Sequence, residues 1–152
     1  MSAQGEPAPP VQPIAAAVVL LRGRVLVQTR PAGRSYGGWW EFPGGKQEPA
    51  EDAAACAVRE CREELGLDVA VEGPLHVQRW DYPGASVNVT FLLCRPQDPE
   101  RAMATAHARE GQELLWADAA DLKRLRFLPA NAHVLDLLIA RLDPSAPSPR
   151  TP

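Results

Sequence analysis

GKQEPAEDAAACAVRECREELGL, residues 45–67, carries more of the architecture of this chain than any other segment. From 49 to 65 it is rich in helix formers, with a proline tolerated near the start, acidic residues in the expected first turn and Gly66 where a cap belongs. On a helical wheel with Glu60 at zero, Glu63 and Glu64 fall within about 60° on either side, because residues three and four apart share a face. The opposite flank carries Ala54, Ala57, Val58, Cys61 and Leu65, an apolar stripe suited to packing on a sheet. The spacing predicts a rigidly held helix with three carboxylates aimed outward. Like charges so placed cost a few tenths of a kcal/mol per pair. The cluster is therefore either a solvated face interleaved with Arg59 and Arg62 or a site with a counter-ion. Mg²⁺ or Mn²⁺ is the counter-ion that carboxylate oxygens suit, and such ions bridge protein carboxylates to substrate phosphates.

Upstream, IAAAVVLLRGRVLVQ at 14–28 holds two apolar, β-branched runs broken at Gly23, which predicts a hairpin. PAGRSYGGWWEFPGG at 31–45 reads as a loop enclosing a short strand near 40–42. Downstream, 69–96 alternates as two or three antiparallel strands, 97–112 is a polar stretch, and ELLWAD at 113–118 reads as one more strand. A short helix is expected at 119–125 and a longer one from Ala130, with Val134, Leu137, Leu138 and Leu142 on helical spacing. Residues 1–13 and 143–152 hold eight of the sixteen prolines and are expected to be tails, leaving one domain over 14–142.

With 152 residues, 45% of them hydrophobic, and a net charge of −3, the chain can bury one substantial core. The slight acidity excludes a global electrostatic footprint for a nucleic acid polymer, so any phosphate binding is local. Cys56, Cys61 and Cys94 read as small buried hydrophobes, and no apolar run is long enough to span a bilayer. The expected setting is the cytoplasm. The four tryptophans are expected mostly in the core, and His76, His107 and His133 share no ligand spacing.

The 45–67 stretch resembles the Nudix box: Gly, five residues, Glu, seven residues, Arg-Glu-apolar-x-Glu-Glu-x-Gly-apolar. Gly45, Glu51, Arg59, Glu60, Glu63, Glu64 and Gly66 fill all the fixed positions, a match whose chance frequency per window is on the order of 10⁻⁹ to 10⁻⁸ from average residue usage. Cys61 stands where the family usually has an aliphatic residue. The resemblance implies an α/β fold, the Nudix α/β/α sandwich with a mixed β-sheet. It further implies that Glu60, Glu63 and Glu64 coordinate divalent metal, that Glu51 pairs with Arg59 to brace the loop entering the helix, and that Gly44 offers its carbonyl. Lys46 would face phosphate.

Outside the box, Trp40-Glu41-Phe42-Pro43-Gly44-Gly45, Glu110-Gly111-Gln112 and Pro129-Ala130-Asn131 resemble the MutT-like nucleotide hydrolases. By that match Phe42 and Arg30 belong to the substrate site, Glu110 is a further metal ligand or general base, and Asn131 reads a purine edge. For Glu110 the plainer account is an ordinary loop carboxylate, with Glu113 able to substitute; for Asn131 it is a helix N-cap. Pro31 departs from the branch, where some members carry a second arginine. Tyr82 and Pro83 lie near positions marking dinucleoside polyphosphate or ADP-ribose hydrolysis, although a core tyrosine and a turn proline explain them more simply.

The implied reaction is metal-dependent hydrolysis of a nucleoside triphosphate to monophosphate and pyrophosphate, with 8-oxo-dGTP the first substrate candidate. Another nucleoside diphosphate derivative (CTP, ADP-ribose, a dinucleoside polyphosphate) and a non-catalytic nucleotide-binding module are the competing readings. A monomer or a homodimer is expected.

Overall fold

A computed structural model of the chain describes residues 10–143 and 145. Most of the two expected tails lies outside those residues. The elements run β1 (Val11–Leu21), β2 (Arg24–Thr29), β3 (Trp40–Glu41), β4 (Gly44–Lys46), α1 (Ala53–Leu65), β5 (Val69–Tyr82) and β6 (Ala85–Pro96). They continue as α2 (Ala102–Thr105), β7 (Leu114–Ala117), α3 (Ala119–Arg124), a 3₁₀ turn (Pro129–Asn131) and α4 (Ala132–Leu142).

β1 is the spine. Its residues 15–21 are an unbroken apolar run because both faces are covered. Ala15, Ala17, Val19 and Leu21 pack under α1 with Ala57, Cys61 and Leu65, whereas Ala16, Val18 and Leu20 pack under α3 and α4 with Leu122, Val134 and Leu138. The result is an α/β/α sandwich. Its sheet has the order β3-β2-β1-β6-β5, with β4 added on β1 and β7 on β2. β1 runs parallel to β6 and every other pairing is antiparallel, so the sheet is mixed. Residues 11–13, expected in the tail, are strand: Val11, Gln12 and Pro13 lie beside Ser86, Val87 and Asn88 of β6.

The hairpin at Gly23 and the short helix after β7 are where the sequence puts them. α1 starts four residues later than its composition suggests, with Asp52 as N-cap accepting from the Ala55 N–H at 2.7 Å and no acidic residue in the first turn. The strand β4 and the short α2, inside the polar stretch, carry too few periodic residues to be foreseen. None of the four tryptophans is fully buried. Trp40 and Trp116 pack against the edges of the two core clusters, Trp80 is 38% exposed, and Trp39 carries the Arg126 guanidinium 3.8 Å above its ring. Among the described residues no helix is long and apolar enough to cross a membrane.

Candidate active site

α1 presents Glu60, Glu63 and Glu64 to a cavity of 1090 Å³, which is large enough for a nucleotide. Its wall continues through Gly44, Gly45 and Lys46 of β4, Gln28 and Arg30 at the end of β2, and Glu110 on the loop before β7. Phe42, Tyr36, Tyr82, Ala130 and Asn131 close it on another side. The structure thus brings every residue singled out in the sequence to one cavity, except the bracing Glu51, which reaches it through Arg59. Glu113, the alternative to Glu110, does not line it.

The box residues are arranged by contact. Arg59 grips Glu51 with both ends of its fork, Nε to Oε2 at 2.7 Å and Nη2 to Oε1 at 2.9 Å, and donates to the Lys46 carbonyl at 3.2 Å. These bonds tie the loop entering α1 to its second turn, and they hold the Glu51 carboxyl down to about 2. The same guanidinium reaches forward, Nη1 lying 3.0 Å from Glu60 Oε1 and 3.1 Å from Glu63 Oε2. Gly45 makes room for this: a Cβ there would lie 2.5 Å from Glu60 Oε1. At Gly44 a Cβ would collide with the Ala15 carbonyl of β1, so the pair of glycines is demanded by the protein's own packing.

The three helix carboxylates do not all aim outward. Glu63 is exposed over 59% of its side chain, whereas Glu60 keeps 15% and the whole Glu64 residue 9%. The wheel gives their angular spacing correctly, but β2 and β4 lie over two of them. Burial beside the Glu60 carboxylate holds the Glu64 carboxyl well above the usual range, partly offset by the Gln28 amide, which donates to Oε2 at 2.7 Å. Burial also raises Glu41, against the pull of Arg30, whose Nη1 lies 3.1 Å from Glu41 Oε1.

Phe42 belongs to the core more than to the surface, packed against Phe91 and Phe127 and 4% exposed, so it forms a floor. Asn131 is 5% exposed and makes no side-chain cap for α4; its Nδ2 is buried with no hydrogen-bond partner. Tyr82 sits in the cavity wall and not in the core, its hydroxyl accepting from the Ala130 N–H at 3.3 Å, and Pro83 is in the β5–β6 turn. None of the tryptophans lines the cavity.

The donor chemistry of Glu60, Glu63, Glu64, Glu110 and the Gly44 carbonyl, all oxygen and mostly anionic, fits a hard divalent cation. As the side chains stand, Arg59 neutralises Glu60 and Glu63, and among the described residues no three acidic, cysteine or histidine side chains are gathered tightly around one point. Gln28, Tyr36 and Glu41 were not foreseen as cavity residues. A glutamine closing the otherwise apolar run of β2 is the one sequence signal that could have found Gln28, and Glu41 lies beside it in the strand register.

Residues 11–138 match the NUDIX domain family. The chain belongs to the Nudix family. This Nudix chain is 30% identical over 127 residues to a CTP pyrophosphohydrolase of Escherichia coli, covering 84% of itself and 90% of that protein. It is 37% identical over 81 residues to an 8-oxo-dGTP diphosphatase of Proteus vulgaris, covering 53% and 72% respectively. Among solved structures, a MutT described from Aliivibrio salmonicida and Vibrio cholerae superposes with a TM-score of 0.67 at 31% identity, covering 87% of this chain and 99% of that one. The protein is a Nudix pyrophosphohydrolase; enzymes of this family are in general divalent-metal dependent and act on small nucleotide substrates.

Proposed function

We propose that this enzyme cleaves a nucleoside triphosphate to the monophosphate and pyrophosphate, with an oxidised guanine nucleotide such as 8-oxo-dGTP preferred. Asn131 carries the reading. A buried N–H₂ without a partner, in the wall of the carboxylate-lined cavity, calls for an acceptor from the ligand. The O6 of a guanine edge supplies one, whereas adenine presents an amino group at that position. Glu60, Glu63, Glu64 and Glu110, with the Gly44 carbonyl, would hold Mg²⁺ or Mn²⁺. When bound, such an ion neutralises phosphate oxygens and lowers the pKa of an attacking water.

The chain's own groups do the rest. A glutamate, Glu63 or Glu110, orients that water and takes its proton. Arg59 braces the entering loop through Glu51 and, through Nη1, holds the Glu60 and Glu63 carboxylates that would ligate the cation. Lys46 and Arg30 meet the phosphates and the nucleoside, and Phe42 is the floor beneath them. Three buried, unpaired thiols suit a reducing compartment, which supports action in the cytoplasm.

CTP is the second reading, favoured by the relative of that activity, which this chain matches over most of its length; cytosine O2 is also an acceptor. Side-by-side kcat/KM values for 8-oxo-dGTP, dGTP, CTP, dATP and ADP-ribose with Mg²⁺ test both. The expected order puts 8-oxo-dGTP first and dATP lower by about 10- to 100-fold, the penalty of leaving a buried donor unpaired. CTP ahead of every guanine nucleotide overturns the first reading in favour of the second.

A further inference from the structure

Glu64 on α1 and Glu110 on the loop before β7 belong to separate elements, yet three hydrogen bonds join them through two side chains outside the box. The backbone N–H of Glu110 donates to Gln112 Oε1 at 2.9 Å, Gln112 Nε2 to Gln28 Oε1 at 3.4 Å, and Gln28 Nε2 to Glu64 Oε2 at 2.7 Å. Gln28, Gln112 and Glu64 are 6%, 7% and 9% exposed, so water does not compete along the line. The Glu110 end fixes its polarity. A backbone N–H can only donate, so Gln112 accepts on Oε1 and donates from Nε2, and Gln28 in turn accepts on Oε1 and donates from Nε2 to Glu64.

Packing does not account for these residues. Gln28 follows Val25, Leu26 and Val27, all fully buried, at a position an apolar side chain would fill. In Glu110-Gly111-Gln112, Gly111 takes φ +77°, the left-handed turn that lets the Glu110 N–H come back onto the side chain two residues ahead. The loop has two other ties to α1, the His107 N–H on the Leu65 carbonyl at 3.1 Å and the Arg109 N–H on the Glu64 carbonyl at 3.2 Å. Those hold it to the end of the helix, whereas the amide line reaches Glu110 itself.

We propose that Gln28 and Gln112 are positioning residues, forming an amide relay that sets Glu110 in register with the Glu64 carboxylate across the cavity. Its effect on turnover rests on the reading in which Glu64 and Glu110 serve the reaction; its structural content does not. Gln28 is bonded to Gln112 and Glu64 and has no hydrogen bond to Glu110, which makes it the decisive position.

The test is amide hydrogen exchange by NMR on the full chain, with steady-state kinetics alongside, for Gln28→Leu and Gln112→Glu. In Gln28→Leu the Glu110 N–H exchanges at least about fivefold faster, through local opening of the loop, while the His107 and Arg109 amides keep their rates. Its kcat falls about tenfold with KM nearly unchanged, the pattern of lost transition-state alignment. Gln112→Glu retains an acceptor for the Glu110 N–H but offers Gln28 a second carboxylate, so the Glu110 amide stays protected while the ¹³C resonance of the Glu64 carboxyl moves. Unchanged Glu110 exchange in Gln28→Leu overturns the relay whatever the turnover. Should that variant not fold, an unmoved Glu64 carboxyl resonance in Gln112→Glu overturns it equally. Accelerated exchange with wild-type turnover upholds the relay and counts instead against a role for Glu110 in the reaction.

Discussion

Glu63 exposes 59% of its side chain and is held through Arg59 Nη1, which separates its chemistry from the stability of the fold. Glu63→Gln is expected to lower kcat by about 10³-fold or more, as loss of a charged group from an electrostatic site does, while the melting temperature moves by less than about 2 °C, as for other surface changes. Asn131 couples the two in the opposite sense. Its orphan Nδ2 costs about 1–3 kcal/mol in the free protein, so Asn131→Leu is expected to raise the melting temperature and to cut kcat/KM for the preferred nucleotide by about 10- to 100-fold. Thermal melts beside kinetics check both variants. Glu51 gives the pH dependence. Its folded carboxyl is depressed to about 2 by Arg59, so the pairing stabilises the fold fully above the ordinary carboxylate range near 4.5 and is lost as the pH falls toward 2. The stability difference between wild type and Glu51→Gln should therefore be constant from pH 6 to 8 and shrink below about pH 4, as urea titrations at each pH would show.

At the scale of elements, α1 shows how far a sequence reading goes. Residue types at fixed spacing gave the helix, its apolar stripe and its carboxylates, because a helix converts spacing into angle whatever surrounds it. They did not give its first residue. Ala50 has φ 65°, the Glu51 N–H donates to the Glu48 carbonyl at 3.0 Å, and Asp52 is extended, so the chain makes one tight turn that brings Glu51 onto Arg59 before the helix starts. Asp52→Ala removes the cap and is expected to cost about 1 kcal/mol, or roughly 2–4 °C in the melt of a chain this size. Nor could spacing reveal that β4 would lay Gly45 on Glu60 or that β2 would place Gln28 on Glu64; those are long-range contacts, and they turn an expected outward face into a half-buried one. The same limit explains Phe42, whose motif marks its place in the chain while its neighbours Phe91 and Phe127 decide that it is a floor.

Across the whole molecule, a two-faced core on β1 leaves a cavity where α1, strands of the sheet and the loops before β3 and β7 meet, and the thiols report on that core's integrity. Cys56, Cys61 and Cys94 are fully buried, and burial pushes Cys56 to about 11 and Cys94 to about 12, so none forms the reactive thiolate at neutral pH. An aromatic disulfide reagent should find no thiol in the native protein and three after denaturation; fast labelling of the native state would show that the sheet opens. We propose that the α1 carboxylates and the Asn131 wall form one site that cuts a nucleoside triphosphate between its α and β phosphorus atoms. Phosphorus-31 NMR of the products from 8-oxo-dGTP with Mg²⁺, run on wild type and Glu63→Gln, decides it. Monophosphate and pyrophosphate are expected from the wild type and almost none from the variant. Inorganic phosphate and a diphosphate as products, or equal turnover by the variant, would contradict it.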